Sequence, residues 1–331
     1  MERRAAGGSE AHVAQAAREA IIRGNAVDAV VTAILVAAAE SPGVLLGPVQ
    51  LLVGGAGAGL LAVDGRVRQP GLGIPRPRGV VAGNAVPLAA RVGVPALPVA
   101  LATVLASAGG MTLQRVTAPA VERARAISAE RATVLRGFAR RGAAVMTDEA
   151  IANELVAVAG RAAGGMLTHD DLAAVRPVVV ACDEPSLAPG GILRVPWREG
   201  TREGAGTQVV AAADGRGLAA IACYEVPIEG LPVAPLGLVA PAFASPVMRG
   251  ETRVKPGEPR SAPAPIALRS RRGVLVMALG VAQAEGPEVL LEGLLAGLGD
   301  AAALLEAVRS CPGRPVLITR TGEAAAVIAS G

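Results

Sequence analysis

Residues 23–31 read Arg-Gly-Asn-Ala-Val-Asp-Ala-Val-Val, and they open a run from Ala26 to Ala39 that is apolar nearly all round. A helix without a polar face has to be buried. The run therefore predicts a core helix around which the rest of the chain is arranged. Gly24 and Asn25 tolerate a left-handed turn, so a preceding helix can end there. Asp28 falls in the first turn of the second helix, facing the positive end of its dipole. The expectation is two helices meeting at a tight corner, the second one in the core.

At 331 residues the chain is long enough for a large core. Its hydrophobic share is 52%, yet the only aromatic residues are Phe138, Trp197, Tyr224 and Phe243, so the core is packed from Ala, Val, Leu and Ile. The net charge is only +4, Lys255 is the sole lysine, and the arginines are mostly scattered. The densest group, Arg269-Ser270-Arg271-Arg272-Gly273, reads as a turn between strands. A nucleic-acid binder needs a basic stripe with stacking aromatics, which this composition does not supply. Cys182, Cys223 and Cys311 are widely spaced, and His12 and His169 stand alone, so the pattern implies reduced thiols, no metal and no cofactor. Cys223 alternates with apolar neighbours and reads as core, while Cys182 as a nucleophile would need a base that the sequence does not display.

Residues 1–8 lack the apolar segment of a signal peptide, which points to the cytoplasm. Between Glu40 and Asp64 no residue is charged, a length sufficient for a membrane span. Pro42, Pro48, Gln50 and the loop from Gly54 to Gly59 divide it instead into two strands, Val49 to Val53 and Leu60 to Val63. A buried hairpin, and no membrane contact, is expected.

Elsewhere the pattern predicts an unstructured start, helices over 10–39, loop over 66–96, and helix from Pro98 to Gly164 with breaks near Gly109-Gly110 and Arg141-Gly142. A short helix over 168–175 precedes strands at 178–181 and 190–195. Hairpins follow at 207–224, turning at Asp214-Gly215, and at 267–279, separated by a proline-rich loop from Pro227 to Arg249. Residues 286–309 read as helix and 316–328 as a last strand pair. Helices first and hairpins later suit an α+β fold with layered sheets.

The string Arg23-Gly24-Asn25-Ala26-Val27-Asp28-Ala29 resembles the G-G-N-A-V-D-A motif of the γ-glutamyltranspeptidases, which have the N-terminal-nucleophile (Ntn) hydrolase fold. Further likenesses follow in the family's order. Glu40-Ser41-Pro42, Val92-Gly93-Val94-Pro95 and Ala118-Pro119-Ala120-Val121 come first. Gly164-Gly165-Met166-Leu167-Thr168-His169-Asp170-Asp171-Leu172 is similar to G-G-x-L-T-x-x-D-L, and Pro256-Gly257 with Ser261 to Pro265 echoes a later segment. Physically, Thr168 reads as a helix N-cap with Asp171 closing the capping box. The resemblance implies a layered α-β-β-α sandwich, shortened and divergent. Residues 1–204 would correspond to the large subunit (helices plus first strands) and 205–331 to the small one, within one compact domain.

In that family an internal Thr becomes a new N-terminus by self-cleavage; its hydroxyl attacks and its own amine is the base. The corresponding stretch here runs from Gly204 to Gly215. Aligned on Asp214-Gly215, it places Ala205 at the nucleophile; matched through Thr207-Gln208, it places Gly206 there; only a two-residue deletion places Thr207 there. The family's acidic grip on the substrate amine faces Leu238 to Phe243, which has no Asn or Asp, and its oxyanion glycines face Gly280 to Gly286. Its carboxylate-binding arginine falls at Arg68, where the pattern alone reads as a lone surface arginine. Gln208 and Ser261 are further polar candidates for binding substrate, although near glycine and proline they read as turn residues. The combined expectation is a catalytically degenerate γ-glutamyltranspeptidase-like protein that binds a small amino-acid-like ligand or an active paralogue. The alternative is an active amidohydrolase or γ-glutamyl acyltransferase using Thr207 after self-cleavage at Gly206-Thr207.

Overall fold

The computed structural model of the chain describes residues 4–55, 59–75, 79–181, 191–197, 206–260, 265–271, 274–283, 285–296, 301–321 and 324–329. Helices α1 (Ala11–Arg23) and α2 (Ala26–Glu40) meet at the expected corner, and every residue of α2 from Ala26 to Ala39 is buried. The corner is not left-handed. Gly24 has φ −130° and Asn25 φ −112°, both extended. Glycine is required at 24 for room, because a Cβ there would lie 2.4 Å from Oδ2 of Asp28. Asn25 caps α2 in a capping box: its side chain accepts from the Asp28 N–H at 3.0 Å, and the Asp28 carboxylate accepts from the Asn25 N–H at 2.8 Å.

The same carboxylate also accepts from the N–H groups of Gly110 and Met111, each at 3.0 Å. These lie in the turn between α3 (Leu97–Ala108) and α4 (Leu113–Arg125). The helical stretch breaks once more than expected, at 126–128, where the Ser128 hydroxyl caps α5 (Ala129–Arg141). From α5, Arg131 donates to the carbonyls of Ala39 and Glu40 at 2.7 and 2.9 Å, closing the C-terminal end of α2. Helices α6 (Glu149–Ala159) and α7 (His169–Ala174) complete this layer.

The helices cover one face of an antiparallel sheet whose strands lie in the order β1 (Ala5–Gly8), β6 (Thr207–Ala213), β7 (Ala219–Glu225), β2 (Val49–Gly55), β3 (Gly59–Gly65), β4 (Val178–Ala181). A second antiparallel sheet runs β13 (Ala324–Ala329), β12 (Arg314–Thr321), β11 (Val274–Ala282), β10 (Ile266–Arg271), β5 (Ile192–Arg194). Strand alternation sends Leu52, Val209, Ala211 and Ile221 of the first sheet against Ile266, Leu268, Ala278 and Ile318 of the second. Val210, Ala212, Ala220 and Ala222 face the helices instead. On the outer side of the second sheet, Leu279, Val281 and Leu317 pack on α8 (Pro287–Ala296) and α9 (Ala301–Arg309). The result is the expected α+β fold, an α-β-β-α sandwich. Its layers close tightly because they are built from small residues: a Cβ on Gly280 would lie 2.7 Å from Cγ1 of Val209.

Three readings of the sequence are corrected. Residues 5–8 are the edge strand β1, not an unstructured start; a Cβ on Gly7 would come within 2.7 Å of Cγ1 of Val327, so its smallness serves packing. The stretch from Pro227 to Arg249 holds a separate hairpin, β8 (Gly230–Val233) and β9 (Leu238–Pro241), turned through Gly237 at φ +61°. Arg269 and Arg271 lie inside β10 rather than in a turn, while Arg272 and Gly273 are outside the described residues. The uncharged 44–64 segment is indeed a buried hairpin, entered through a 3₁₀ turn at Val44–Leu46. Among the described residues no helix is long and apolar enough to cross a membrane.

Because the Asp28 carboxylate joins both corners, Asp28→Ala should lower the unfolding free energy by about 3 kcal/mol or more, with Asp28→Asn losing less. Denaturant unfolding checks this. A loss below about 1 kcal/mol for the alanine variant would show that the joint is dispensable.

Candidate active site

The β6–β7 hairpin sets the geometry of the candidate site. In its turn the Asp214 carboxylate accepts from the N–H groups of Arg216 at 2.8 Å and Leu218 at 3.1 Å. This is local turn chemistry, and it fixes the register that places Thr207 opposite Glu225. By strand alternation Thr207 shares the inter-sheet face with Val209, whereas Gln208 faces the helices. The two residues cannot line one pocket. Gln208 is buried in a strand rather than placed in a turn, and its Oε1 accepts from the Ser9 hydroxyl at 2.7 Å.

Thr207 is 1% exposed, and its hydroxyl has no hydrogen-bond partner among the described residues. Its carbonyl accepts from the N–H of Gln283 at 3.1 Å. Gln283 has φ +51°, a conformation non-glycine residues rarely adopt, and it lies in the Gly280–Gly286 segment to which the resemblance assigns the oxyanion glycines. One residue earlier, the Gly206 carbonyl accepts from Val226 N–H at 2.8 Å, so strand pairing continues past Thr207. A Cβ at Gly206 would stand 2.3 Å from the Val226 carbonyl oxygen, which leaves no room for a side chain there.

Directly across from Thr207, Glu225 is also buried. Cβ atoms of such cross-strand pairs lie about 5 Å apart. Next on the same face of β7, burial and then the Glu225 carboxylate push the Cys223 thiol pKa well up, so it stays protonated and packs as core. The ladder registers carry this end of the sheet on through β2 to β3, where Asp64 pairs with Gln50. Asp64 binds Arg66 at 3.0 Å and Arg68 at 3.2 Å, and all three are buried. The Arg66 guanidinium also sits 5.5 Å from the centre of the Trp197 ring. Arg68 is therefore no surface arginine. Burial pulls its pKa down, Asp64 opposes that, and its backbone pairs with Val94 and with Pro259. Pro259 is two residues before Ser261, which lies outside the described residues, as does Cys182.

Asp64, Arg66, Glu225 and Gln283 escaped the sequence reading. The period-two spacing of Asp64, Arg66 and Arg68 after an apolar strand was the available signal, since it puts three charges on one face. His169 is exposed in the first turn of α7, as expected, and its Nε2 is 2.8 Å from Asn153 Oδ1.

No protein-family model matches this chain, and no curated protein matches it. Solved structures do. The cephalosporin acylase from Bacillus halodurans superposes with a TM-score of 0.71 at 15% identity, covering 99% of this chain and 96% of that one. The chain has the Ntn-hydrolase fold. LmbA2991HD matches with a TM-score of 0.60 at 14% identity over 99% of this chain and 98% of its own. A γ-glutamyltranspeptidase from Pseudomonas nitroreducens reaches a TM-score of 0.44 at 18% identity over 58% of this chain and 67% of its own. Within the Ntn fold, Thr207 heads a strand at one end of the sandwich.

A buried hydroxyl without a partner costs roughly 1–3 kcal/mol, so Thr207→Val should leave thermal stability unchanged or raised. A clear fall in melting temperature would show that the hydroxyl is held by a group outside the described residues.

Proposed function

We propose that this protein is a γ-glutamyltranspeptidase-like Ntn-fold chain that binds a small amino-acid-like ligand and does not cut amides. The observation that carries this reading is Glu225 opposite Thr207. Attack by the Thr207 hydroxyl on an amide builds an oxyanion, which needs donors around it. A carboxylate on the facing strand opposes that charge. If the chain were cut at Gly206-Thr207, the new α-amine would lie beside the same carboxylate, which would hold it protonated. A protonated amine cannot serve as the base that Ntn chemistry requires.

Binding is supported by the distribution of charge at this end of the sheet. Arg66 and Arg68 follow β3, and Glu225 ends β7, with only β2 between those two strands. Two strand spacings are about 10 Å, a span that an amino acid with an extended side chain bridges, with its carboxylate toward the arginines and its ammonium toward Glu225. An active paralogue is the other partner consistent with a scaffold that has lost its chemistry.

The unpartnered Thr207 hydroxyl beside the Gly206 carbonyl, already polarised by Val226 N–H, favours a second reading: an amidohydrolase or acyltransferase that cleaves at Gly206-Thr207. Assay with γ-glutamyl-p-nitroanilide separates the two. The expected outcome is no release of p-nitroaniline from either wild type or Thr207→Ala, together with saturable calorimetric binding of L-glutamate that Glu225→Gln weakens. Turnover abolished by Thr207→Ala would establish the second reading, and absence of L-glutamate binding would remove the ligand from the first.

A further inference from the structure

Thr207 is tied to the second sheet by a bond that sandwich packing does not ordinarily provide. Stacked sheets lie about 10 Å apart and meet through their side chains, so their backbones stay out of hydrogen-bonding reach. Here β11 remains paired with β12 as far as Ala282, opposite Arg314, and the next residue leaves the sheet. That residue, Gln283, donates its N–H across the gap to the Thr207 carbonyl at 3.1 Å. The chain reaches it through a costly conformation. Gln283 has φ +51°, and among the described residues it is the only non-glycine residue with a positive φ. A left-handed residue that carries a Cβ is strained, whereas glycine adopts the same conformation freely. Gly286, three residues on in the same connection to α8, takes φ +58° without that cost.

A second tie lies beside the first. Arg314 donates from Nη1 to the Ser9 carbonyl at 3.2 Å. Ser9 in turn holds the next two residues of β6: its hydroxyl donates to Gln208 Oε1 and accepts from the Val209 N–H at 2.9 Å. The first three residues of β6 are therefore fixed from the second sheet at two points. Glu225 pairs with Thr207, so whatever holds Thr207 also sets the end of β7. The Gln283 side chain makes no hydrogen bond among the described residues, which leaves its backbone as the part that acts.

We propose that Gln283 is a positioning residue of the candidate site: its strained backbone holds the head of β6, and with it Thr207 and Glu225, in place. Strain of this kind persists only where the surrounding structure enforces it, and it gathers at sites that need a fixed geometry. Its effect on a ligand rests on the amino-acid-binding reading of the site, whereas its hold on Thr207 does not.

The test compares Gln283→Gly, Gln283→Asn and Gln283→Val in the full chain. All three keep the N–H. Glycine and asparagine tolerate the left-handed region, and a β-branched residue resists it. The glycine and asparagine variants should keep the Thr207 methyl NMR signal at its wild-type position and bind L-glutamate with unchanged affinity. The glycine variant, relieved of strain, should also slow hydrogen exchange at the residue-283 amide. The valine variant should shift the Thr207 methyl signal, speed that exchange roughly tenfold and weaken L-glutamate binding, while amide exchange within α2 stays unchanged. Faster exchange in the glycine variant, or loss of affinity in it equal to that of the valine variant, would overturn the proposal. So would wild-type behaviour of the valine variant, or a Thr207 signal that moves there without a change in affinity. If wild type does not bind L-glutamate, the ligand reading fails by itself, and the methyl signal and amide exchange still decide whether Gln283 holds the strand.

Discussion

One buried carboxylate fixes the helix layer on which the sandwich rests. Asp28 accepts hydrogen bonds from the N–H groups of Asn25, Gly110 and Met111, so one side chain caps α2 and ties the α1–α2 corner to the α3–α4 turn. An all-apolar helix has no polar face to orient it, and dispersion contacts alone permit it to rotate or slide. Directional bonds at its ends remove that freedom: Asn25 Nδ2 donates to the Ala108 carbonyl at 2.7 Å, and Arg131 closes the far end. Asp171 repeats the device. It completes the Thr168 capping box and accepts from Gly71 and Leu72 N–H, both at 2.8 Å, anchoring the loop after β3.

These two joints explain why the clearest motifs report on fold and not on chemistry. In both strings an Asp placed three residues after the cap does two tasks, and a glycine just before leaves room for it or for the neighbouring loop. Gly24 abuts Asp28, and a Cβ on Gly165 would stand 2.0 Å from the Ala159 carbonyl oxygen.

Much of the fold was legible because it follows from short-range rules. The α2 helix, the 44–64 hairpin and the Asp214-Gly215 turn each follow from periodicity or turn chemistry within a few residues. What was not legible depends on partners distant in sequence. Ala5–Gly8 has little strand character alone and becomes a strand only by pairing with β6, some two hundred residues later. Gln208 looked like a turn residue until its bond to Ser9 placed it on the helix side. Arg68 looked like a surface residue because its partner Asp64 counted, in sequence, only as the end of an apolar strand. Glu225, which decides the reading of the candidate site, became visible only when the hairpin register set it across from Thr207.

The central claim is that Glu225 and the continued pairing at Gly206 keep the Gly206-Thr207 peptide intact. Intact-mass spectrometry of the purified chain after prolonged incubation at neutral pH measures this directly. One species at the mass of the uncut polypeptide is the predicted result. Two fragments meeting at Gly206-Thr207, absent in Thr207→Ala, would contradict it.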